Sequence, residues 1–556
     1  MQYKSLVVPV GNVLIGGDNP IRIQSMTNTN TCDTLKTVEQ ITNLYNIGCE
    51  IVRLSVPSIK DANNLINIKN ILLKNNINIP LIADVHFNAK VAEVCAEIIE
   101  KVRINPGNYY DKKNSNTIDY KTELERIYER ISPLIKTCKN NGTALRIGSN
   151  HGSLSDRIIN KYGNTPLGMV ESALEFIDIC LDYNFRNIVV SMKSSSPNIM
   201  IQANKLLVEK MLAKNINFPI HLGVTEAGEG EDGSIKSAIG IGYLLKEGIG
   251  DTIRVSLTGP PELEIPIAKI ISQNFNRNNF INCNNSNKSS SSNFNIGSKH
   301  SPIIISNKNQ DNIDYIHDDN SLYNSNLTIN IFKEINKNTG AYNFNIENID
   351  ENILLNIPKE SVLIIDVKKD NLYKTYNILD LIYRNNLEIP VIIHYIDTVK
   401  NITDKIILSV ELGKLIIDNK INGLWFNDEE GTELSFQILQ STGKKITRNE
   451  YISCPTCART NYDINKVLAE IKALTKEIKG LKIGIMGCIV NGPGEMADAD
   501  FGCVGSGNNK VTLYIKNEPV LKNIKTEDAA KELYKLIKSS MLNAQTNSNR
   551  LAPKYL

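Results

Sequence analysis

The sequence predicts an α/β protein that begins with a (β/α)8 barrel, and three observations support this. Short apolar strands alternate with longer segments of helical spacing. Eight such units fall within about 250 residues, the usual size of this barrel. Polar side chains recur where the strands end. An open doubly wound sheet shares the alternation, but it usually has fewer strands and a glycine-rich first turn that is absent here.

The predicted elements of the barrel follow one another in a regular order. Strands are predicted at 21–26, 51–56, 80–87, 101–106, 144–150, 187–193, 219–225 and 251–257. Helices are predicted at 37–47, 61–74, 89–99, 120–139, 169–181, 199–212 and 234–245. The glycine-rich and acidic segment 228–233 is predicted to be a mobile loop over the barrel mouth.

The polar residues at the strand ends predict a binding site for a phosphorylated molecule. They are Arg53, Ser55, Asp84, His86, Arg103, Asn105, Arg146, Asn150, Ser191, Lys193, Thr225, Glu226, Arg254 and Ser256. Taken singly, a charged residue at a strand end is more often part of an ordinary salt bridge than of a binding site. In a barrel, however, they converge on the rim that carries active sites, where four arginines and a lysine would repel one another without an anion. Guanidinium groups suit phosphate oxygens, so a diphosphorylated small molecule is expected, with Asp84, His86 and Glu226 handling protons or hydroxyl groups.

Residues 261–445 are expected to form an inserted α/β domain with its own core, after a first domain at 1–260. The segment 273–330 is rich in Asn and Ser and has little periodicity, which predicts an irregular or flexible surface excursion. Strand and helix patterns return at 362–367, 372–383, 390–395, 405–415 and 423–426. The pattern indicates no independent chemistry in this domain, and His394 and Trp425 are expected in its core or on its surface.

Residues 446–556 are expected to bind a metal centre. Cys454 and Cys457 are two residues apart, so both sulfurs can bind one centre, and Cys488 adds a third thiol. Structural zinc usually adds a second close pair or a histidine, and no histidine follows residue 394. Three cysteines with Glu495 as an exchangeable ligand favour an iron–sulfur cluster with one open corner, and zinc is the alternative. Cys503 is nearby but is not assigned as a ligand.

The remaining elements of this third domain are predicted from apolar spacing and turn residues. Strands are predicted at 448–453, 481–486, 511–515 and 520–524, and helices at 465–479 and 527–541.

Composition excludes several other classes of function. The formal net charge of +2 gives no electrostatic reason to expect nucleic acid or an anionic membrane surface. The chain has no run long and apolar enough to span a membrane, and a cytoplasmic protein is expected. Ten cysteines over 556 residues are sparse, so disulfides are not expected.

The motifs, taken in order, resemble the 4-hydroxy-3-methylbut-2-en-1-yl diphosphate synthase family of the non-mevalonate isoprenoid pathway. They are IQSMTNT at 23–29, VRLSVP at 52–57, ADVHF at 83–87, RINPGN at 103–108, RIGSN at 146–150, GVTEAG at 223–228, DTIRVS at 251–256 and the two cysteine motifs. The insertion is similar to that of the three-domain members, where it resembles a degenerate second barrel. The third domain is expected to resemble the α+β fold of sulfite and nitrite reductases.

The resemblance implies a two-electron reductive dehydration that opens 2-C-methyl-D-erythritol 2,4-cyclodiphosphate to the linear allylic diphosphate. Cys454, Cys457 and Cys488 would hold a [4Fe-4S] cluster, with Glu495 on the fourth iron. The diphosphate would be bound by Arg53, Arg103, Arg146, Asn150, Lys193, Arg254 and Ser256. Asp84, His86, Thr225 and Glu226 would face the carbon skeleton, with Glu226 delivering a proton. Reduced ferredoxin or flavodoxin would supply electrons, and the sequence leaves a homodimer open.

Two other functions stay open at this point. One is a barrel lyase or isomerase that acts on sugar phosphates and carries a structural zinc site. The other is an iron–sulfur carrier that hands its cluster on through Glu495.

Overall fold

The computed structural model describes residues 3–109, 120–275, 294–297, 299–455, 457, 459–460, 462–490, 492–507 and 509–546, with side chains as far as Leu542. The chain forms two compact units. One comprises Met1–Asn279 with Arg448–Leu556, and the other is Phe280–Thr447. The helices of the described ranges are all too short or too polar to cross a membrane.

The amino-terminal part of the first unit is a (β/α)8 barrel, which confirms the predicted fold class. Its parallel strands are Arg22–Met26, Ile51–Ser55, Leu81–Asp84, Lys101–Ile104, Ala144–Asn150, Ile188–Lys193, His221–Leu222 and Thr252–Ile253. A parallel bridge between Val190 and Ile220 joins the sixth strand to the seventh. The strands therefore follow one another around the barrel in chain order.

A hairpin that the sequence pattern did not predict precedes the barrel. Its antiparallel strands are Val8–Val10 and Val13–Ile15. Val8, Val10 and Ile15 form one apolar cluster with Ile51, Ile82, Ala144 and Val189, which lie near the beginnings of four barrel strands. The hairpin thus closes the end of the barrel opposite the rim.

The barrel helices agree with the predicted ones apart from their ends and two additions. They are Thr34–Asn46, Ile59–Lys74, Ala89–Ala96, Tyr120–Asn141, Asp156–Tyr162, Pro166–Asp182, Pro197–Ala213, Gly230–Lys246 and Glu264–Asn274. The mobile loop predicted at 228–233 is wrong in part, because the helix begins at Gly230. Glu231 and Asp232 lie in its first turn, where carboxylates stabilise the helix dipole.

The second unit contains a closed eight-stranded barrel. Its strands are Ile303–Ser306, Tyr315–Asp318, Ser321–Tyr323, Thr328–Phe332, Ala341–Asn345, Val362–Val367, Val391–Tyr395 and Gly423–Phe426. Its helices of six or more residues are Glu351–Asn356, Thr375–Arg384, Ile402–Ile417 and Glu429–Ser441. The strand from Tyr315 to Asp318 pairs antiparallel with the next, and that one pairs antiparallel with the fourth.

The irregular excursion predicted at 273–330 is wrong for residues 303–330, which supply strands to this barrel. Residues 276–293 and 298 of that segment lie outside the described residues. Three of these strands escaped sequence reasoning because they are short and carry few buried apolar side chains. Leu322 and Ile329, for example, are buried between polar neighbours. The fourth, Ile303–Ser306, has three buried isoleucines but lies within the Asn- and Ser-rich sequence.

The polar residues at one end of the second barrel satisfy one another. Trp425 donates to Asn307 (3.2 Å), and Asn307 donates to the side-chain oxygen of Asn427 (3.3 Å). That oxygen lies 3.0 Å from Nε2 of His394, whose Nδ1 lies 2.7 Å from Asp366. The imidazole of His394 also stacks on Trp425, with ring centroids 3.6 Å apart. A continuous hydrogen-bonded network therefore fills this end.

The carboxyl-terminal part of the first unit is a five-stranded sheet with helices. The strands are Glu450–Ser453, Lys482–Met486, Phe501–Gly507, Lys510–Ile515 and Glu518–Lys525, in chain order across the sheet. The helices are Ile464–Thr475, Gly492–Glu495 and Ala529–Thr546. The sequence pattern missed the strand Phe501–Gly507, because its glycines lower strand propensity. A Cβ at Gly505 would lie 2.3 Å from the carbonyl oxygen of Gly487, so the close approach of these chains requires glycine.

Candidate active site

One pocket lies between the carboxyl ends of the barrel strands and the cysteine loops. The barrel contributes Met26, Arg53, Asp84, Arg103, Arg146, Asn150, Lys193, Thr225, Glu226, Arg254 and Ser256. The carboxyl-terminal part contributes Cys454, Pro455, Cys457, Arg459, Met486, Gly487, Cys488, Gly492 and Glu495. The structure therefore brings together the basic residues and the cysteines that sequence reasoning singled out separately.

Backbone and side-chain contacts hold the two sides of the pocket together. Ala227 forms a parallel bridge with Ser453, whose hydroxyl lies 2.6 Å from that of Thr258. A Cβ at Gly152 would lie 1.8 Å from the carbonyl oxygen of Gly494, so the main chains of these two segments touch. The approach of the cysteine loops to the barrel rim thus depends on residues without side-chain bulk.

Two of the five predicted cations already have carboxylate partners. Nη1 of Arg103 lies 2.9 Å from Asp84. Arg254 donates to both oxygens of Glu264, at 3.0 and 3.2 Å, and Glu264 is fully buried. Arg103, together with Arg53, keeps the pKa of Asp84 well below its usual range despite burial. The charges of Arg103 and Arg254 are therefore compensated within the protein.

The other three cations, Arg53, Arg146 and Lys193, have no carboxylate within salt-bridge distance among the described residues. Arg146 is fully buried, and all three of its guanidinium nitrogens lack a hydrogen-bond partner in the described protein. Burial and neighbouring arginines lower the pKa of Lys193 and of Arg146 well below their usual values. An anion in the pocket would relieve both effects, so the site is electrostatically suited to phosphate groups.

Glu226 lies in the pocket beside the predicted metal ligand Glu495. Its backbone has a positive φ of 48°, a conformation that side-chain-bearing residues rarely adopt. Burial, followed by the adjacent Glu495 carboxylate, raises the pKa of Glu226 well above its usual value. Asn150 donates a hydrogen bond of 2.9 Å to Glu495 from the other side. Glu226 is thus held in a strained position within the pocket, where burial and Glu495 favour retention of its proton.

The three cysteines of the pocket fit an iron–sulfur cluster by the chemistry of their donor set. Cys454, Cys457, Cys488 and Glu495 all line the pocket, and the Gly487 N–H lies 3.1 Å from Sγ of Cys454. Hydrogen bonds from backbone N–H groups to ligand sulfurs are typical of such clusters. Within the described residues, no three His, Cys, Asp or Glu side chains converge closely enough to bind a single ion. A cubane is larger than one ion, so its ligands stand farther apart.

Comparison with known proteins found two family models that together match most of the first unit. Residues 5–269 match a GcpE TIM-barrel domain, and residues 450–539 match a GcpE protein C-terminal domain. The chain belongs to the GcpE family. It is 40% identical to a protein of Leptospira interrogans, covering 97% of each chain, and 40% identical to one of Bacteroides thetaiotaomicron, covering 96% of this chain and 97% of that one. A protein of Protochlamydia amoebophila is 37% identical, covering 96% of this chain and 95% of that one. All three bear the name 4-hydroxy-3-methylbut-2-en-1-yl diphosphate synthase (flavodoxin).

His86 does not line the pocket of this GcpE family chain, although the sequence reasoning assigned it to the carbon skeleton. Its Nε2 lies 2.7 Å from Nη1 of Arg103, and its Nδ1 lies 2.9 Å from the amide of Asn108. Arg103 can only donate, so Nε2 accepts from Nη1 of Arg103. Burial, followed by the charge of Arg459, lowers the pKa of His86 to about 4. The structure places this neutral imidazole behind Arg103, where it orients the guanidinium.

Arg459 is a pocket residue that sequence reasoning missed. Nη2 of Arg459 lies 3.2 Å from the main-chain oxygen of Asp84 and 3.8 Å from its carboxylate, and the side chain is 11% exposed. It is the only cation that the carboxyl-terminal part contributes to the pocket among the described residues. Its position two residues after Cys457 was a signal, because a residue that close to a metal ligand is carried into the site with it.

Cys503 lies apart from the pocket in the apolar core of the carboxyl-terminal sheet. It is fully buried, and burial raises the pKa of its thiol to about 12. Asn491, in the glycine-rich motif before Glu495, lies outside the described residues.

Proposed function

We propose that this chain catalyses the reductive ring opening of 2-C-methyl-D-erythritol 2,4-cyclodiphosphate to 4-hydroxy-3-methylbut-2-en-1-yl diphosphate. The name carried by near full-length relatives agrees with this reaction. The observation that carries the proposal is that one pocket is lined by three cysteines and by three cations with no carboxylate at salt-bridge distance among the described residues. When substrate and product are both written as fully protonated diphosphates, the reaction consumes two electrons and two protons. It breaks carbon–oxygen bonds and releases one water.

The cofactor of this proposal is a [4Fe-4S] cluster. Cys454, Cys457 and Cys488 would bind three of its irons, and Glu495 would be the exchangeable ligand of the fourth. When bound, such a cluster supplies electrons singly to a substrate at its open corner. Asn150 would keep the Glu495 carboxylate oriented by its hydrogen bond of 2.9 Å.

The protein's own residues divide the remaining work. Arg53, Arg146 and Lys193 would bind the diphosphate, since their charges have no carboxylate partner. That subsite would be completed by Arg103 and Arg254, whose charges are already paired with carboxylates, and by the uncharged Ser256. Asp84 and Thr225 would accept hydrogen bonds from hydroxyl groups of the carbon skeleton. Glu226, which lines the same pocket, would donate a proton to the departing oxygen.

The proposal also assigns parts of the chain to separate tasks. Residues 1–260 bind the substrate, residues 446–556 hold the cluster, and residues 261–445 act as a spacer. The electron donor is proposed to be reduced flavodoxin, as the relatives' names state for those proteins. Reduced ferredoxin is the alternative donor, and comparing turnover with each protein decides between them.

Anaerobic purification followed by turnover of the cyclic diphosphate tests the proposal. A brown protein with about four irons per chain, no zinc and reductant-dependent product formation is the expected result. Zinc in place of iron would instead support a sugar-phosphate lyase or isomerase. A loaded cluster that transfers to an apoprotein, without turnover of the cyclic diphosphate, would support an iron–sulfur carrier.

A further inference from the structure

Beneath the pocket, polar side chains replace much of the aliphatic filling that is usual inside a (β/α)8 barrel. Each interior layer of this fold takes four side chains from alternate strands. The register of strand pairing places Gln24, Ile82, Arg146 and His221 in one layer, and Ile51, Lys101, Val189 and Thr252 in the layer below. Five of these eight side chains are polar, and each is at most 1% exposed.

These interior polar groups lack partners in the described protein. No hydrogen bond reaches Nζ of Lys101, either ring nitrogen of His221, either amide atom of Gln24, or the hydroxyl of Thr252. The same holds for the three guanidinium nitrogens of Arg146. Buried polar groups in folded proteins are almost always hydrogen-bonded to protein or to ordered water. So dense a group of unpaired donors and acceptors therefore indicates bound water.

This water would lie between the hairpin that closes the lower end of the barrel and the pocket above. The apolar hairpin residues Val8, Val10 and Ile15 pack against Ile51 and Val189 and close the interior from below. Arg146 belongs to the polar layers and also lines the pocket. The guanidinium of Arg146 therefore belongs both to the polar layers and to the pocket wall.

We propose that the barrel interior is a binding site for a cluster of ordered water molecules, which bridges Gln24, Lys101, His221 and Thr252 to Arg146. The water holds the guanidinium of Arg146 towards the pocket and solvates its charge when no substrate is bound. Arg146 is thus prepared to bind a phosphate group without first being ordered.

The electrostatics of the layers agree with this assignment. Burial, followed by the charge of Arg146 for Lys101 and of Lys193 for His221, lowers the pKa of both groups well below their usual values. An amine and an imidazole can each form hydrogen bonds with water. Water bound among these groups would offset part of the desolvation that lowers the pKa of Lys101, His221 and Arg146.

Two near-isosteric substitutions distinguish a hydrated interior from a dry one. In a dry barrel, Thr252→Val and Gln24→Met would remove unpaired polar atoms and raise the unfolding temperature. In the proposed hydrated barrel, each removes a partner of bound water and lowers that temperature. Thr375→Val is the matched control, because the buried Thr375 hydroxyl is also unpaired but lies in the second unit. We expect Thr375→Val to leave the transition of the first unit unchanged.

A kinetic measurement separates a positioning role from a purely structural one. Thr252→Val and Gln24→Met should raise the KM for the cyclic diphosphate about fivefold, the equivalent of one lost hydrogen bond, with kcat little changed. This effect rests on the proposed function, whereas the unfolding temperatures do not. Lowered unfolding temperatures with an unchanged KM would overturn the positioning of Arg146 by water.

A crystal structure of the full chain gives the direct test, and it does not depend on any variant folding. At high resolution, discrete water density should lie within hydrogen-bond distance of Lys101, His221 and Arg146. A dry interior, or raised unfolding temperatures in both isosteric variants, would overturn the proposal.

Discussion

Asn150 donates a hydrogen bond of 2.9 Å to Glu495, although 345 residues separate the two in the chain. Asn150 ends the barrel strand Ala144–Asn150, and Glu495 ends the short helix Gly492–Glu495. The contact joins the substrate side of the pocket to the proposed exchangeable ligand of the cluster. The position of that ligand therefore depends on the barrel.

Replacing Asn150 tests this dependence. Asn150→Ala removes a hydrogen bond to a charged group, and we expect kcat/KM for the cyclic diphosphate to fall by about tenfold. Asn150→Asp should be more harmful, because it places a carboxylate beside Glu495. Iron content should stay at the wild-type level in both variants, since the three cysteines are untouched. An Asp variant as active as the wild type would contradict the proposed role.

Arg459 should matter for activity although it lies outside the barrel. Arg459→Gln removes the charge that contacts Asp84, and we expect kcat/KM to fall by about tenfold or more. Arg459→Lys should restore only part of the loss, because an ammonium cannot reproduce the planar fork of donors.

Arg448→Gln is the matched control for Arg459. Arg448 also contacts the barrel, through Asp232 at 2.9 Å, but its side chain is 39% exposed and that of Asp232 is 59% exposed. Exposed pairs contribute little, so kcat/KM should change less than twofold or so. Equal losses of kcat/KM in Arg448→Gln and Arg459→Gln would show that the loss comes from breaking a contact with the barrel and not from removing a charge from the pocket.

The assignment of cluster ligands predicts different outcomes for two serine variants. Cys488→Ser should lose the cluster, because it removes a pocket thiolate. Cys503→Ser should retain it, because Cys503 lies in the apolar core away from the pocket. Iron and sulfide content after anaerobic reconstitution, with absorbance near about 400 nm, measures both. Equal iron content in the two variants would refute the assignment.

His86 should make the stability of the protein depend on pH. The pKa of His86 is lowered to about 4 in the folded protein, against about 6.5 when unfolded. The unfolded chain therefore takes up the proton first, so this contribution is complete above about pH 6.5 and is lost as the pH falls towards 4. We expect a loss of up to about 3 kcal/mol over that range.

His86→Gln is the comparison that isolates this contribution. The variant lacks the titrating ring but keeps His221, whose pKa is lowered in the same direction, so that effect cancels in the difference. The difference in the free energy of unfolding between wild type and variant should shrink as the pH falls from 7 to 4.5. A difference independent of pH would mean that His86 is not buried as a neutral ring.

Local patterns in the sequence were sufficient to predict the first barrel and the residues of its rim. Strands such as Leu81–Asp84 are buried apolar runs that end in a polar residue, and that signal lies within a few neighbouring residues. Strands such as Ser321–Tyr323 and Phe501–Gly507 were missed. The first has a single buried side chain, Leu322, and the second relies on glycines that admit a neighbouring chain.

The sequence alone therefore determined the fold class and the basic residues at the strand ends, and it predicted a donor set of three cysteines with Glu495. Only the tertiary structure decided that Arg103 and Arg254 are paired with Asp84 and Glu264, that His86 lies behind Arg103, and that Arg459 enters the pocket. The physical reason is distance along the chain. Strand patterns and metal-ligand spacing arise from neighbouring residues, whereas the charge of a buried group depends on partners that folding brings from far away.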